Sequence, residues 1–272
     1  MYDIVCGMKL GKRCSFHSTY NKKKYEFCGK NCKNEFDKTP KKFINGTPVI
    51  ELRDVHKDYQ LGTVTVPVLH GLSLRIWKND FVALKGVSGS GKTTAMNIIG
   101  ALDTVTKGEV LLDGKDVSKM SENQLAKIRG SKIGFVFQQF NLLGALNCEE
   151  NIQLPMFFRN GLETEKDQRT VQKYIKSVGL EHRKAHKPLE MSGGEQQRAA
   201  IARALVNDPE IIIADEPTGN LDSETGKTIM KVLKELNKQG RTIVVVTHDP
   251  NIAKETGKIL YLKDGALVTS ES

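Results

Sequence analysis

The chain has 272 residues, 39% hydrophobic and 27% charged, with a formal net charge of +9. That balance is ordinary for a soluble globular protein and argues against a disordered chain, a collagen-like repeat or a coiled coil. No apolar run approaches the ~18 to 20 residues of a bilayer-spanning helix, and the polar N-terminus lacks the marks of a signal peptide, so a cytoplasmic location is expected.

Charge and cysteine are both concentrated at the start. Residues 1–48 hold 11 Lys and Arg against 4 Asp and Glu, whereas the remaining 224 residues hold 30 against 28. Cys6, Cys14, Cys28 and Cys32 crowd the first 32 positions, and only Cys148 lies beyond. The change of composition near Asn45-Gly46-Thr47-Pro48 predicts a domain boundary there, giving a small Cys-rich domain over 1–46 and a large one over 49–272. Strands are predicted over Val49–Val55, Val66–Trp77 and Phe81–Lys85. Helical periodicity follows over Thr164–Val178 and Ser223–Gln239, each stopped by a glycine. Between the helices, Glu210–Ala214 and Thr242–Val246 are continuous apolar runs of the kind buried on both faces of a parallel sheet. Lys263-Asp264-Gly265-Ala266 reads as a closing hairpin. The predicted fold class is α/β, with an antiparallel β portion near the start of the large domain.

Three motifs carry chemistry. Gly86-Val-Ser-Gly-Ser-Gly91-Lys92-Thr93 fits G-x-x-x-x-G-K-[ST] directly after a strand: its glycines shape a backbone nest for phosphate oxygens, Lys92 adds a mobile charge and the Thr93 hydroxyl suits Mg²⁺. The helix it opens adds a positive end. Ile211-Ile-Ile-Ala-Asp215-Glu216 ends a buried strand in two carboxylates at the carboxyl edge of a sheet, where ligands bind in such folds. Asp215 there can hold Mg²⁺, and Glu216 can orient or deprotonate an attacking water. Met191-Ser192-Gly193-Gly194-Glu195-Gln196-Gln197-Arg198 opens a helix with a Ser-Gly-Gly turn, again an anion-binding shape.

Together these motifs resemble the ATP-binding subunit of ATP-binding cassette (ABC) transporters, over nearly all of residues 49–270. The resemblance implies a P-loop fold of ABC type, with a parallel core sheet and helices, an antiparallel β subdomain and a helical subdomain. It implies a nucleotide-binding set of Tyr59, stacked on adenine, with Gly86, Ser88, Gly89, Ser90, Gly91, Lys92, Thr93 and Thr94. Asp215, Gln138 and Thr93 are implied around Mg²⁺, with Gln138 also reaching the attacking water and its loop the membrane subunit. Glu216, His248, Gln138 and Lys92 take the catalytic roles. Ser192, Gly193, Gly194 and Glu195 are implied to face ATP held by a second copy, and Gly219-Asn220-Leu221-Asp222 to couple the two sites. Met191 stands where Leu is usual, a volume-conserving change. The expected assembly is therefore a homodimer closed on two MgATP, driving transmembrane permease subunits from the inner face of the membrane. Ile133–Leu143, Asp215–Asp222 and the short C-terminus resemble the lipoprotein-release and macrolide-export branch. Some members of that branch drive signalling or mechanical work, so an ATPase that moves no substrate is the alternative reading. Soluble cassettes of DNA repair or translation carry long arms or two cassettes, whereas only about 100 residues separate Lys92 from Ser192 here.

In the small domain, Cys28 and Cys32 are four apart, so a helical turn puts both thiols on one side. Cys6 completes a three-sulfur set, with Cys14 or His17 as candidate fourth ligand, for soft ions such as Zn²⁺ or Cu(I). Asp3-Ile-Val-Cys-Gly-Met8, Lys24-Tyr-Glu-Phe-Cys28 and the Cys-x-x-x-Cys pair resemble YHS/TRASH-like domains, which implies a link to heavy-metal handling, copper included. The alternative is a basic domain with reduced structural cysteines. Its lysines would suit contact with anionic lipid headgroups; no nucleic-acid partner is expected.

Overall fold

The computed structural model describes every residue except 12–14, 162–163 and 271–272. The elements in chain order are β1 (Phe16–Tyr20), β2 (Lys23–Phe27), α1 (Lys30–Lys38), α2 (Pro40–Asn45), β3 (Ile50–Leu61), β4 (Val64–Ile76), β5 (Phe81–Lys85) and α3 (Lys92–Ile99). There follow β6 (Lys107–Leu112), β7 (Lys115–Asp116), α4 (Glu122–Lys132), β8 (Ile133–Val136), α5 (Cys148–Asn160), α6 (Glu165–Ser177) and α7 (Gly193–Leu205). The chain ends with β9 (Ile211–Asp215), α8 (Ser223–Lys238), β10 (Thr242–Thr247), α9 (Pro250–Lys254), β11 (Lys258–Lys263) and β12 (Ala266–Val268). Two compact units result. One comprises Met1–Lys78, Leu84–Met120 and Ile259–Ser272; the other Asn79–Ala83 and Ser121–Lys258.

In the first unit, the β1–β2 hairpin, α1 and α2 are too short to bury a core unaided. Phe36 on α1 supplies a shared centre: its ring centroid lies 4.8 Å from Tyr25, 5.1 Å from Phe27 and 6.3 Å from Phe43. Phe43 then meets Trp77 edge-on at 5.1 Å, where β4 ends. The loop before the hairpin is bound to the same strand end. Trp77 Nε1 donates to Val5 O at 2.7 Å and Arg75 N to Cys6 O at 2.7 Å. Gly7, at φ +79°, lies so close that a Cβ there would stand 2.6 Å from the Leu74 carbonyl carbon. Only glycine tolerates both the dihedral and the approach. The first 47 residues are thus packed onto the antiparallel sheet β4-β3-β6-β7 rather than tethered to it.

That sheet reaches further than the sequence pattern predicts. The β3–β4 ladder runs out to Tyr59↔Val66 and Leu61↔Val64, whereas strands were expected over 49–55 and 66–77. Lys57, Asp58 and Gln60 break the apolar signal because this end of the ribbon is open to solvent, yet the backbone pairing continues. The Lys263–Ala266 hairpin is present as predicted, joining β11 to β12.

In the second unit, β8, β9 and β10 pair in parallel, with β9 central. Ile211–Ala214 and Thr242–Thr247 are buried throughout, which explains their unbroken apolar runs. Amphipathic α8 lays Ile229, Met230, Leu233 and Leu236 on a core shared with Ile201, Leu205, Ile212 and Val245. A second cluster joins α5, α6 and α7 through Ile152, Val171, Ile175 and Ala202, and it takes in Met191, whose flexible thioether fills the place as expected.

Removing the Phe36 ring should cost about 3–5 kcal/mol. Denaturant unfolding of Phe36→Ala is expected to show an early transition of the first 47 residues, and a wild-type profile would remove the hub role.

Candidate nucleotide site and thiolate cluster

In the first unit, the phosphate-loop candidates run from the end of β5 into α3. Gly89 and Gly91 sit at φ +77° and +94°. A Cβ on Gly86 would stand 2.3 Å from Leu262 O and 2.6 Å from Ser90 Oγ, so the loop's tight curl requires glycine there. A Cβ on Gly91 would come within 3.0 Å of Leu69 Cδ2 on β4. Ser90 Oγ is buried with no partner among the described residues, a polar atom left over by the fold that a phosphate-filled loop can satisfy. Lys92 folds back, donating from Nζ to Val87 O at 2.7 Å. Thr93 is exposed and Thr94 buried.

Tyr59 stands half-buried on β3, its hydroxyl donating to Asp103 Oδ2 at 2.9 Å. Lys57 covers its ring at 4.9 Å and ties to the same carboxylate at 2.6 Å. Burial, with Asp103 beside it, holds the phenol above its ordinary range. Asp103 was not singled out from sequence; its only signal is its place just past the phosphate-loop helix.

In the second unit, Asp215 ends β9 and Glu216 follows at φ +42°, a strained value for a side-chain-bearing residue. The turn is held by Glu216 N donating to Val246 O at 2.9 Å. Its carboxylate is fixed at both oxygens. Oε2 accepts from Thr247 Oγ1 at 3.0 Å, while Oε1 accepts from His248 N at 3.0 Å and lies 2.6 Å from His248 Nδ1. The structure therefore brings Glu216 and His248 together, with Thr247 as a partner that sequence reasoning missed. Gln138 is exposed and exchanges bonds with Asn220: Gln138 Nε2 to Asn220 Oδ1 at 3.4 Å and Asn220 Nδ2 to Gln138 O at 2.9 Å. A Cβ on Gly219 would meet Gln138 Nε2 at 2.8 Å, so that glycine admits the glutamine. Buried Gln197, also missed, donates to Pro217 O at 2.7 Å and so props the turn beyond Glu216.

The Ser-Gly-Gly turn is a capping box. Ser192 Oγ accepts from Glu195 N at 3.3 Å and Glu195 Oε2 from Ser192 N at 2.8 Å. The exposed Ser192 hydroxyl also bonds to the Glu195 carboxylate, so side chain as well as backbone closes the box. Gly194 faces Thr225, whose Cγ2 a Cβ would meet at 2.5 Å. The Asp222 carboxylate caps α8, accepting from Glu224 N, Thr225 N and Thr225 Oγ1.

The Ser192 backbone N–H, with Arg183 donating to Glu195 Oε1 at 2.9 Å, holds the Glu195 carboxyl down from 4.5 to about 2. A depressed carboxylate contributes stability that is present above its unfolded pKa and lost as pH falls through the folded one. The start of α7 should therefore fray between about pH 4.5 and 2. Amide exchange across that window should show a shallower acid dependence in Glu195→Gln; an unchanged slope would deny the carboxylate this role.

The cysteines converge. Cys6 Sγ lies 3.5 Å from Cys28 Sγ, and Cys28 Sγ 3.6 Å from Cys32 Sγ. These spacings approach the ~3.8 Å edge of a tetrahedral site with zinc–sulfur bonds of about 2.3 Å. His17 does not join them: it is exposed on β1, and Cys14 lies outside the described residues. The fourth member is Asp3, fully buried, with a donor atom within 4.8 Å of each sulfur. Its Oδ1 accepts from Val5 N at 2.8 Å and Cys6 N at 3.3 Å, its Oδ2 from Cys28 N at 2.7 Å. One carboxylate thus fastens the two segments that bear the thiols. The signal was available, an Asp three residues before a Cys in a tight loop, but a search for sulfur and imidazole passes over it. Burial and the nearby Cys6 raise the Asp3 carboxyl against those hydrogen bonds. Cys32 is pushed up by its hydrogen bonds to Cys28 and Cys6 and by burial. Cys28 is also raised: the Cys32 bond lowers it, but Cys6, burial and Asp3 outweigh that. A cation that bound here would displace the protons of the raised thiols, because thiolates are the metal-binding form.

The family model described as ABC transporter matches residues 69–219, and the YHS domain model matches residues 1–47. The uncharacterized ABC transporter ATP-binding protein YknY of Bacillus subtilis is 47% identical over 224 residues, 82% of this chain and 97% of that protein. The protein MJ0796 of Methanocaldococcus jannaschii, of like description, is 48% identical over 227 residues, with the same two shares. The macrolide export ATP-binding/permease protein MacB of Mannheimia succiniciproducens is 46% identical over 81% of this chain, a match that spans 34% of MacB. Among solved structures, the dimeric structure of MJ0796, a bacterial ABC transporter cassette, superposes with a TM-score of 0.74 at 47% identity, over 80% of this chain and 96% of that one. A dimeric post-hydrolysis state of MJ0796 bound to ADP and Pi gives the same TM-score. With the three motifs built on a matching fold, the chain belongs to the ABC transporter family of ATP-binding proteins and carries a YHS domain at its N-terminus.

Proposed function

We propose that this chain is the ATP-hydrolysing subunit of a transporter whose permease is a separate membrane protein, and that its YHS domain binds a thiophilic cation linked to the transporter's task. The observation that carries the first part is the Glu216 carboxylate, held at both oxygens by Thr247 and His248. Such fixation suits a group that must orient and deprotonate a water, because positioning supplies much of the rate in phosphoryl transfer. The phosphate loop with Lys92 receives the ATP phosphates, and Tyr59 stacks on adenine with the face that Lys57 leaves open. Thr93, Asp215 and Gln138 offer the hard oxygen donors that suit Mg²⁺. Ser192 and the turn at Gly193 and Gly194 serve ATP held by a second copy, in keeping with the dimeric MJ0796 structures. Two domains, 1–46 and 49–272, divide cation binding from ATP chemistry.

For the YHS domain the support is the set Cys6, Cys28 and Cys32, fixed by Asp3 in a buried pocket. Soft thiolates select Zn²⁺ or Cu(I) over Mg²⁺, and the protons displaced on binding leave a stable ion-filled cluster. Transport or sensing of copper or another heavy metal follows from that chemistry.

Glu216→Gln is expected to lower kcat by about 10²-fold or more and to accumulate an ATP-bound dimer in size-exclusion chromatography. Near wild-type turnover would refute the base assignment. Titration of the nucleotide-free chain with Zn²⁺ against a chromophoric chelator should show a tight equivalent that Cys28→Ser and Cys32→Ser each weaken at least about 100-fold; equal affinity in all three proteins would remove the thiolate site.

A further inference from the structure

The turn that follows α3 is stitched to β3 through one carboxylate. Leu102 N and Asp103 N both donate to Asn97 O, at 2.7 and 3.2 Å, so Asp103 is fixed to the end of the helix that starts at the phosphate loop. Its side chain then reaches across to the strand. Oδ2 accepts from the Tyr59 hydroxyl at 2.9 Å, and Oδ1 accepts from Lys57 Nζ at 2.6 Å and from Thr104 N at 2.7 Å. Burial raises this carboxyl, but the bonds from Lys57, Tyr59 and Thr104 outweigh it and hold the group below its ordinary range. Both oxygens are in use.

Tyr59 is held from both ends of α3. Asp103 lies past the C-terminal end, while Thr94, whose side chain also bonds the phenol, sits in the first turn beside Thr93. Lys57 is fixed as well: Nζ donates to Thr104 O at 2.8 Å and lies 4.9 Å from the centre of the Tyr59 ring. An ammonium over a ring is attracted to its π-face, and here it bars a flat ligand from that side. One face of the half-buried ring remains, at an orientation that α3 dictates. A ring so held has little rotamer freedom left to lose when a base stacks on it.

We infer that Asp103 is a positioning residue for nucleotide binding: through the Tyr59 hydroxyl and the Lys57 ammonium it sets the stacking face for the base relative to the phosphate loop. The inference rests on the proposed stacking of adenine on Tyr59 and adds what aims that ring. Because Asp103 acts through Tyr59, its loss weakens the hold on the base and spares the hold on the phosphates.

Titration calorimetry of the full chain with two Mg²⁺-bound probes tests this. One is a non-hydrolysable ATP analogue with an imido bridge between the β- and γ-phosphates; the other is inorganic tripolyphosphate, which has no base. Asp103→Ala and Tyr59→Phe cut the tie from either end and keep the ring. Each should weaken the analogue roughly 3- to 10-fold, the range of one re-mobilised side chain, and leave tripolyphosphate unchanged. Tyr59→Ala, which removes the ring, should weaken the analogue about 10-fold or more. Adding Asp103→Ala to it should cost nothing further, because a residue that acts through another has no effect in its absence. Wild-type affinity for the analogue in Tyr59→Ala would refute the stack itself. Loss in Tyr59→Ala, with wild-type affinity in both Asp103→Ala and Tyr59→Phe, would overturn the positioning role alone. So would Asp103→Ala weakening both probes alike, or costing as much with the ring absent as with it present.

Discussion

Strand β4 is the constraint on which the first unit rests. At its C-terminal end the backbone N–H of Arg75 and the indole of Trp77 hold the loop that bears Cys6. Six residues earlier, about 20 Å along an extended strand, Leu69 and Val68 press against Gly91 of the phosphate loop and Gly265 of the terminal hairpin. Along its length it pairs with β3, which carries Tyr59. A sheet strand bonded on several sides does not yield locally, because each backbone group it withdraws would be left unpaired. The YHS domain is therefore part of the cassette's architecture, with glycine at positions 7 and 91 setting how closely backbone meets backbone.

The second unit solves a different problem, holding charged groups still. Glu216 adopts a costly backbone conformation and is clamped by Thr247 and His248, while Gln197 braces the following proline. Ser192 and Glu195 satisfy each other's backbone at the start of α7. The same pattern recurs in the YHS domain, where Asp3 collects three backbone N–H groups from two segments. Order in each site is maintained by carboxylates that are themselves tied to main chain, so side-chain entropy is lost on folding and not on binding.

The phosphate loop, the Asp215-Glu216 strand end and the Ser-Gly-Gly turn were legible because each is a local string whose function follows from backbone shape. The buried strands β9 and β10 were legible because a sheet covered on both faces needs unbroken apolar runs. What depended on tertiary pairing was not. The solvent-facing end of the β3–β4 ribbon hides behind polar residues, the Asp103 tie to Tyr59 spans 44 positions, and Asp3 meets Cys28 across 25. Of the two candidates for a fourth partner of the sulfurs, Cys14 lies outside the described residues and His17 stands apart, while the Asp3 carboxylate beside them carries no sulfur or imidazole signal.

Trp77, the chain's single tryptophan, has its indole N–H on Val5 O and its ring edge on Phe43. Every photon the protein emits from an indole thus originates at the junction of the YHS domain and β4. Intrinsic fluorescence is in this chain a native gauge of whether that junction is seated, one that needs no label and stays silent about the rest of the molecule.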